Sequence, residues 1–525
     1  MPMKLSGLVL FAVLSVLAAC GSSGESCGEG FCPEDYPPAG VVSGKLLYVS
    51  AAHAPAEGQT GTIEAPFGML SQAVAVAEAG DCILVQTGLY EETATLVVDK
   101  PLSIKAGGGF NDDGVYLDRA TLISTAENAI HVQVAAEVTV AGLTIASPVG
   151  AGILVEGSDG VVLEENRVFS AQSVGGEDAP ARGFGISVAN SSGVTVDGNV
   201  VEGSAGAGIN MMQSYFSIIV RNLVSSNHVG IALHACAHAH VAGGSPGEAL
   251  VDILENRVEY NLGAGVRVLS SAVRIEGNVV AHTGAVIGDP LGEADGIVIA
   301  RALPDDEGNE YALSEAWIGA EEGALEFDNQ VFENERAGLL IGDGSFVGII
   351  VRNYVASNGA VGIWAQDGAK IAIIVRNLVQ FNRLVGIGLT NGAHAVIGDE
   401  LDDALGNTVE VSESVVTDWR GEEQKLGDAL GIFEESSAEV YRNTLAGHGR
   451  VGVLMDNPNG ADTLVKDNIV DALGYGVALQ NFSGQPESLP LVEGNKTPDE
   501  LQVVLTTLEG VDVLKVQAEL SGGGN

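Results

Sequence analysis

Short apolar runs of Val and Ile, bounded by Gly, Asn, Ser and Asp, recur along most of this chain. The pattern is plainest where Ile349-Ile350-Val351-Arg352-Asn353 returns as Ile373-Ile374-Val375-Arg376-Asn377, a shift of 377 − 353 = 24 residues. The same five letters occur earlier, at Ile218 to Asn222, and a Gly-Ile pair follows each Asn at Gly230-Ile231, Gly362-Ile363 and Gly386-Ile387. One unit reads Gly-Ile-x-aliphatic, a polar turn, aliphatic-x-x-Asn-x-Val, a second polar turn, and Gly-Ile again. Self-similarity at this period predicts stacked structural units.

Short β-branched runs between turn residues predict strands. A leucine-rich repeat needs regular Leu and often a helical stretch, which these units lack. A coil of two or three such strands would lay each strand parallel to its counterpart about 4.8 Å below, with no room for a crossover helix. The predicted class is all-β, a parallel β-helix solenoid with a short N-terminal capping helix. On these motifs the chain resembles the right-handed parallel β-helix family, the pectate-lyase-like superfamily, over roughly residues 45 to 500.

The Asn after each apolar run can be followed as Asn166, Asn199, Asn222, Asn256, Asn278, Asn329, Asn353, Asn377, Asn443 and Asn468, with Ser414 expected in the slot between the last three. Stacked amides of this kind hydrogen-bond one another and the turn backbone, so their expected role is structural. The position before the ladder Asn holds Arg352 and Arg376, with Asp328 one coil below Arg352. In-register stacking would set the two arginines about 5 Å apart.

The ends of the chain read differently. Lys4, the apolar run Leu8 to Leu17 and then Leu17-Ala18-Ala19-Cys20 have the layout of a signal peptide over residues 1–19. Leu-Ala-Ala-Cys resembles the bacterial lipoprotein box, which implies lipidation of Cys20. Ser22 stands where Asp would signal inner-membrane retention, so the expected address is the outer membrane, facing periplasm or cell surface. Residues 20–44, rich in Gly, Ser, Glu and Pro, read as a flexible tether, within which Cys27 and Cys32 are candidates for a local disulfide. The tract offers too few ligands for zinc. From 45 to 525 a single domain is expected. Its first coil and cap span 45–92, with an amphipathic helix from Met69 to Ala79 between Pro66 and Gly80, and a second cap covers about 497–525. The helix over the first coil resembles the start of many secreted β-helix proteins. Cys82 falls in an apolar strand and is expected to be a buried thiol.

Charge narrows the partners. Acidic residues outnumber basic ones by 69 − 24 = 45, which repels polyanions at long range and argues against nucleic acid. A uronate polymer would need Ca²⁺ or a local arginine cluster to bridge the charges. With strands committed to the stack, function is expected where the spacing between units lengthens. One set of insertions brings Glu177, Asp178 and Arg182, then His282, Asp289, Glu293 and Asp295, then Asp418, Trp419, Arg420, Glu422, Glu423, Lys425 and Asp428. Carboxylates converging from neighbouring coils would bind Ca²⁺ or act as acid and base, and Asp295, Asp428 and Arg182 are the catalytic candidates. The blander reading is solvated turns. In the polysaccharide lyases this fold resembles, acidic residues hold Ca²⁺ and an Arg or Lys takes the proton. Gly447-His448-Gly449 looks like one element of the polygalacturonase pattern, but the accompanying aspartates and Arg-Ile-Lys element are absent.

A second insertion opens with His234, Cys236, His238 and His240 at alternate positions, a Cu or Zn ligand set if the strand bends, since such positions lie about 6.6 Å apart. A resemblance to periplasmic β-helix proteins of copper-site maturation points the same way, whereas the one-His stretch Ala393-His394-Ala395 favours a polar turn edge. The function expected is a surface-anchored β-helix that binds polysaccharide or cell-envelope glycan without turnover. The alternatives are a lyase, hydrolase or epimerase, and a structural, adhesion or metal-binding protein. Aromatics make up only 5% of residues, which leaves Trp364 and Trp419 as the main candidates for stacking on sugar.

Overall fold

In the computed structural model the chain winds through three parallel sheets of 16, 14 and 15 strands. The structure describes residues 44–506 apart from 55–57, 108–118, 147–148, 170, 172–182, 237–249, 286–292, 305–307, 309, 321–326, 411–413, 418–422, 449–450, 473–474, 482–488 and 497–502. Cys20, Cys27, Cys32, Arg182, His238, His240 and Trp419 lie outside the described residues. A typical coil runs from Val162–Glu164 in the first sheet to Arg167–Phe169 in the second and Phe184–Ala189 in the third. Each strand pairs in parallel with its equivalents in the coils before and after, as Leu163 does with Val140 and Val196. The 24-residue shift appears directly, with Ile350 opposite Ile374 and Val351 opposite Val375.

Alternation along each strand sends Val, Ile and Leu inward, and these side chains form one apolar core from Leu47 to Val492. The core needs a lid at its first coil. The helix Leu70–Val76 supplies it, shorter at both ends than the amphipathic pattern suggests, with Leu70, Ala73 and Val74 buried. Its start is fixed by Gln72, whose side-chain oxygen accepts from the N–H groups of Gly68 and Met69 at 3.2 Å each. Cys82 is a buried thiol outside any disulfide. Among the described residues no helix is long and apolar enough to cross a membrane.

The corners repeat a two-residue device. Between the first and second sheets a residue with φ of 53° to 58° (Glu165, Arg221, Glu255, Arg352, Arg376, Arg442 and Asp467) turns the chain, and Gly takes the place at 142, 198, 277 and 494. The next residue is the ladder Asn, except after Gly142, where Leu143 precedes the ladder and its N–H donates to Asn166. From Asn166 to Asn495 each amide Nδ2 donates to the Oδ1 of the next coil's Asn at 2.8 to 3.1 Å. Ser414 is not in this ladder. Asn407 fills the slot, donating to Asn443 at 2.8 Å and to the Ile374 carbonyl at 2.7 Å, a span that a Ser hydroxyl is too short to make. Ser414 instead begins Ser414–Thr417, one arm of an antiparallel hairpin with Glu423–Leu426. Asn495 extends the ladder by one coil.

A second ladder, which the sequence reading missed, stands five residues on. Asn227 donates to Asn261, and Asn334 to Asn358 and thence Asn382, at 2.9 to 3.1 Å. The corner between third and first sheets uses Ser in the same way, Ser158 receiving the Ala135 N–H and Ser191 the Ser158 N–H.

Candidate functional site

The third sheet offers the widest outer face, because its strands run to six or seven residues where those of the second sheet are mostly three. Its middle strands, Val229–His234, Gly263–Leu269 and Ala294–Ala300, are bordered by the long connections 235–250, 282–293 and 301–314. Two outward columns cross these strands. One runs Ala207, Val229, Ala264, Asp295, and the other Ala232, Arg267, Val298, Leu340, Trp364. Their apolar members form a cluster outside the main core, with Phe184 and Trp364 packed against it.

Two charges interrupt this apolar stripe, and each is matched. Asp295 is fully buried; Arg336 grips it through two nitrogens, with Nε to Oδ1 at 2.8 Å, and the Ala337 N–H adds a third bond at 3.0 Å. Arg267 pairs with Glu293. The guanidinium groups stay partly accessible, at 27% and 24% side-chain exposure, so both planar groups can still meet a ligand. Trp364 is half-buried and donates from its indole nitrogen to Thr390 Oγ1 at 3.0 Å. Arg267 and Arg336 are functional candidates that sequence reasoning missed. The only signal for them is position, since Arg267 falls between apolar residues of a strand and Arg336 directly precedes the Ala-Gly of the third-sheet unit.

Asp295 and Asp428 share one column but do not converge. The register runs Asp295, Ala337, Val361, Val385, Asp428, four strand steps or about 19 Å. Asp428 is buried like Asp295.

The two described residues of the expected metal set, His234 and Cys236, do not stand in line either. The strand ends at His234; Ala235, with φ 53°, turns the chain, and Cys236 goes inward into the column of corner serines. Its N–H donates to Ser271 Oγ at 2.9 Å, and its sulfur donates to the Met211 carbonyl at 3.4 Å. Burial pushes this thiol up, away from the thiolate a metal requires. His234 stays on the outer side, its ring edge-on to Tyr311 at 5.1 Å, and burial lowers its pKa. Among the described residues no three His, Cys, Asp or Glu side chains gather to hold a metal ion.

On the opposite corner the arginine row begins as the register requires. Burial raises the Asp328 carboxyl, while the Gly277 N–H at 3.0 Å and the charge of Arg352 pull it back. Asp328 therefore relieves Arg352, which also donates to the Ala320 carbonyl at 3.3 Å.

A family model described as a right handed beta helix region matches residues 128–302. With the three parallel sheets, this makes the protein a right-handed parallel β-helix. The mannuronan C-5 epimerase AlgE6 A-module of Azotobacter vinelandii aligns with 82% of this chain and 93% of its own at 13% identity and a TM-score of 0.45. Dettilon tailspike protein aligns with 70% and 69% at 14% identity and a TM-score of 0.44. PfbA, a surface adhesin of Streptococcus pneumoniae, aligns with 79% and 86% at 11% identity and a TM-score of 0.32. No curated relative matches the sequence.

Proposed function

We propose that this protein is a lipid-anchored, extracytoplasmic β-helix that binds polysaccharide or cell-envelope glycan along the outer face of its third sheet without turning it over. The observation that carries the reading is the apolar stripe from Phe184 to Trp364 with the two arginine–carboxylate pairs set into it. Sugar rings present apolar C–H faces and a rim of hydroxyls. The partly exposed Phe184, Ala232 and Trp364 along the buried stripe suit the first, and the Glu293 carboxylate and the two guanidinium groups suit the second. Binding in preference to turnover is supported by the carboxylates themselves. Asp295 is neutralised by Arg336, and Asp428 lies about 19 Å away, beyond the roughly 5 to 9.5 Å at which paired carboxylates cleave glycosides. The Leu-Ala-Ala-Cys run supports the anchor.

Glycan-array binding by the protein and by Arg267→Ala and Trp364→Ala tests the face. Both substitutions should weaken every retained glycan, and a signal unchanged in both would refute the site. Incubation of a bound glycan with the protein should give no unsaturated product and no new reducing ends; either product would replace binding with lyase or hydrolase chemistry. For the anchor, Cys20→Ser should leave the protein unlipidated, released or unprocessed. Unchanged lipidated protein in the membrane fraction would end that reading.

A further inference from the structure

We propose that the corner between the second and third sheets carries a row of subsites for an uncharged glycan, with Tyr260 and Phe381 as its stacking faces. This deepens the glycan-binding reading and rests on it, but it uses a different surface from the third-sheet wall.

At this corner Ser226, Tyr260, His282, Glu333, Ser357 and Phe381 follow one another coil by coil, directly after second-sheet positions that pair in register. All six have φ between 56° and 58°. The left-handed turn lets the next residue, an Asn or Thr, face inward. Tyr260 is 58% exposed and Phe381 51%, high for rings so large.

The column shows what a ring does there. His282 stacks on one face of Tyr260, centroids 4.6 Å apart and planes within 8°. It is fixed from behind by the edge contact with Phe332 at 5.9 Å and by Glu333, 3.2 Å from its Nδ1. One stacked ring thus fills one strand spacing of about 4.8 Å. The other face of Tyr260 looks toward Ser226, and Phe381 stands one coil above Ser357; both serines are exposed and too small to fill that spacing. Each Ser-to-aromatic step therefore leaves room for a ring, with an aromatic side chain above it and a hydroxyl beneath it. A pyranose chair fits this thickness and offers its C–H face to the ring. The two steps lie four coils apart, about 19 Å along the axis, a span that an extended oligosaccharide of several units covers.

Charge selects the sugar. Beside the lower step stand Glu202 and Glu259, the first bound by Arg167 at 3.0 Å and the second by Arg257 at 2.7 Å, and Glu333 follows above. These paired carboxylates still accept hydrogen bonds from sugar hydroxyls, and the net charge of −45 on the whole chain repels uronate or sulfate groups at long range. The partner that fits is an unsubstituted, neutral glycan chain.

The test uses the full-length protein, calorimetric titration with cellohexaose, mannohexaose and xylohexaose, and a galacturonate hexasaccharide as the charged control. At least one neutral probe should bind and perturb the tyrosine absorption. Tyr260→Ala and Phe381→Ala should each weaken it about tenfold with unchanged melting temperature, and Tyr260→Trp should retain it. Equal affinity in parent and both alanine variants, or tighter binding of the uronate than of any neutral probe, overturns the proposal. If binding falls in Arg267→Ala but not in Tyr260→Ala or Phe381→Ala, this inference fails while the glycan reading stands. If no glycan of either kind binds, both fail.

Discussion

Single side chains here are used for what they satisfy more than for what they present. Asn353, fully buried, donates to the carbonyls of Ile318 and Val351 at 3.1 and 3.0 Å and to Asn377 at 3.0 Å, and accepts from Asn329 at 2.8 Å. Asn353→Ala strands these partners out of reach of water, so it should lower stability by about 3 kcal/mol. Asn495→Ala, at the ladder's partly exposed end, should cost clearly less; equal denaturant midpoints for the two variants would contradict the ladder's energetic role. Glu276 is the opposite case, a carboxylate the fold would rather not ionise. Burial holds its pKa above the ordinary value of 4.5; Arg274 offsets part of this, and the charges of Asp328 and Asp252 add to it. A raised folded-state pKa means that its contribution is intact below pH 4.5 and is lost as pH climbs through the raised value. Glu276→Gln should therefore match the parent in acid and exceed it at neutral pH, by no more than about 1 kcal/mol at this partly exposed site. Arg274 keeps its two 2.9 Å bonds to Asp252 in the variant. Melting curves across pH that never separate would refute the assignment.

At the scale of the element, the corner decides what the sequence may vary. Arg376 has φ 56°, a conformation that Gly takes freely, Asn readily and β-branched residues only under strain. Arg376→Gly should be close to neutral and Arg376→Val should destabilise by about 1 to 2 kcal/mol, an order that thermal denaturation reads directly; equal losses in the two variants would show that the residue's charge was what mattered. Strands and the first ladder were legible because their signals are local: a Val/Ile run, then Asn-x-Val. Counting alone failed at Ser414, since the insertion at 398–406, with its short helical turn Asp403–Leu405, moves the slot to Asn407-Thr408-Val409. The second ladder was equally visible in the five-residue steps Asn222 to Asn227 and Asn353 to Asn358. The third-sheet wall was not, because the pairing of Asp295 with Arg336 joins residues 41 positions apart across coils. Cys236 was misplaced by the same cause that makes the corners work: one left-handed residue, Ala235, reverses the side that alternation assigns.

For the whole molecule, contacts join each coil chiefly to its two neighbours, so the coil is the unit of deletion as well as of construction. Residues 354–377 form one such unit of 377 − 354 + 1 = 24 residues, from Tyr354 opposite Leu378 to Asn377 in the ladder. Removing them joins Asn353 to Leu378 and sets Ala337 against Val385, Leu339 against Ile387 and Ile341 against Leu389, since each already pairs with the same intermediate residue. The ladders close by joining Asn353 to Asn407 and Asn334 to Asn382. The shortened protein should fold, with circular dichroism per residue unchanged and a melting temperature only a few degrees lower, because one nearest-neighbour interface replaces two. Removing 354–365 alone takes half a coil and puts second-sheet residues where third-sheet residues belong. That variant should fail to fold cooperatively. If both deletions fold equally well, or the 24-residue deletion is the one that fails, the coil is not an independent unit and the nearest-neighbour account of this solenoid's stability is wrong.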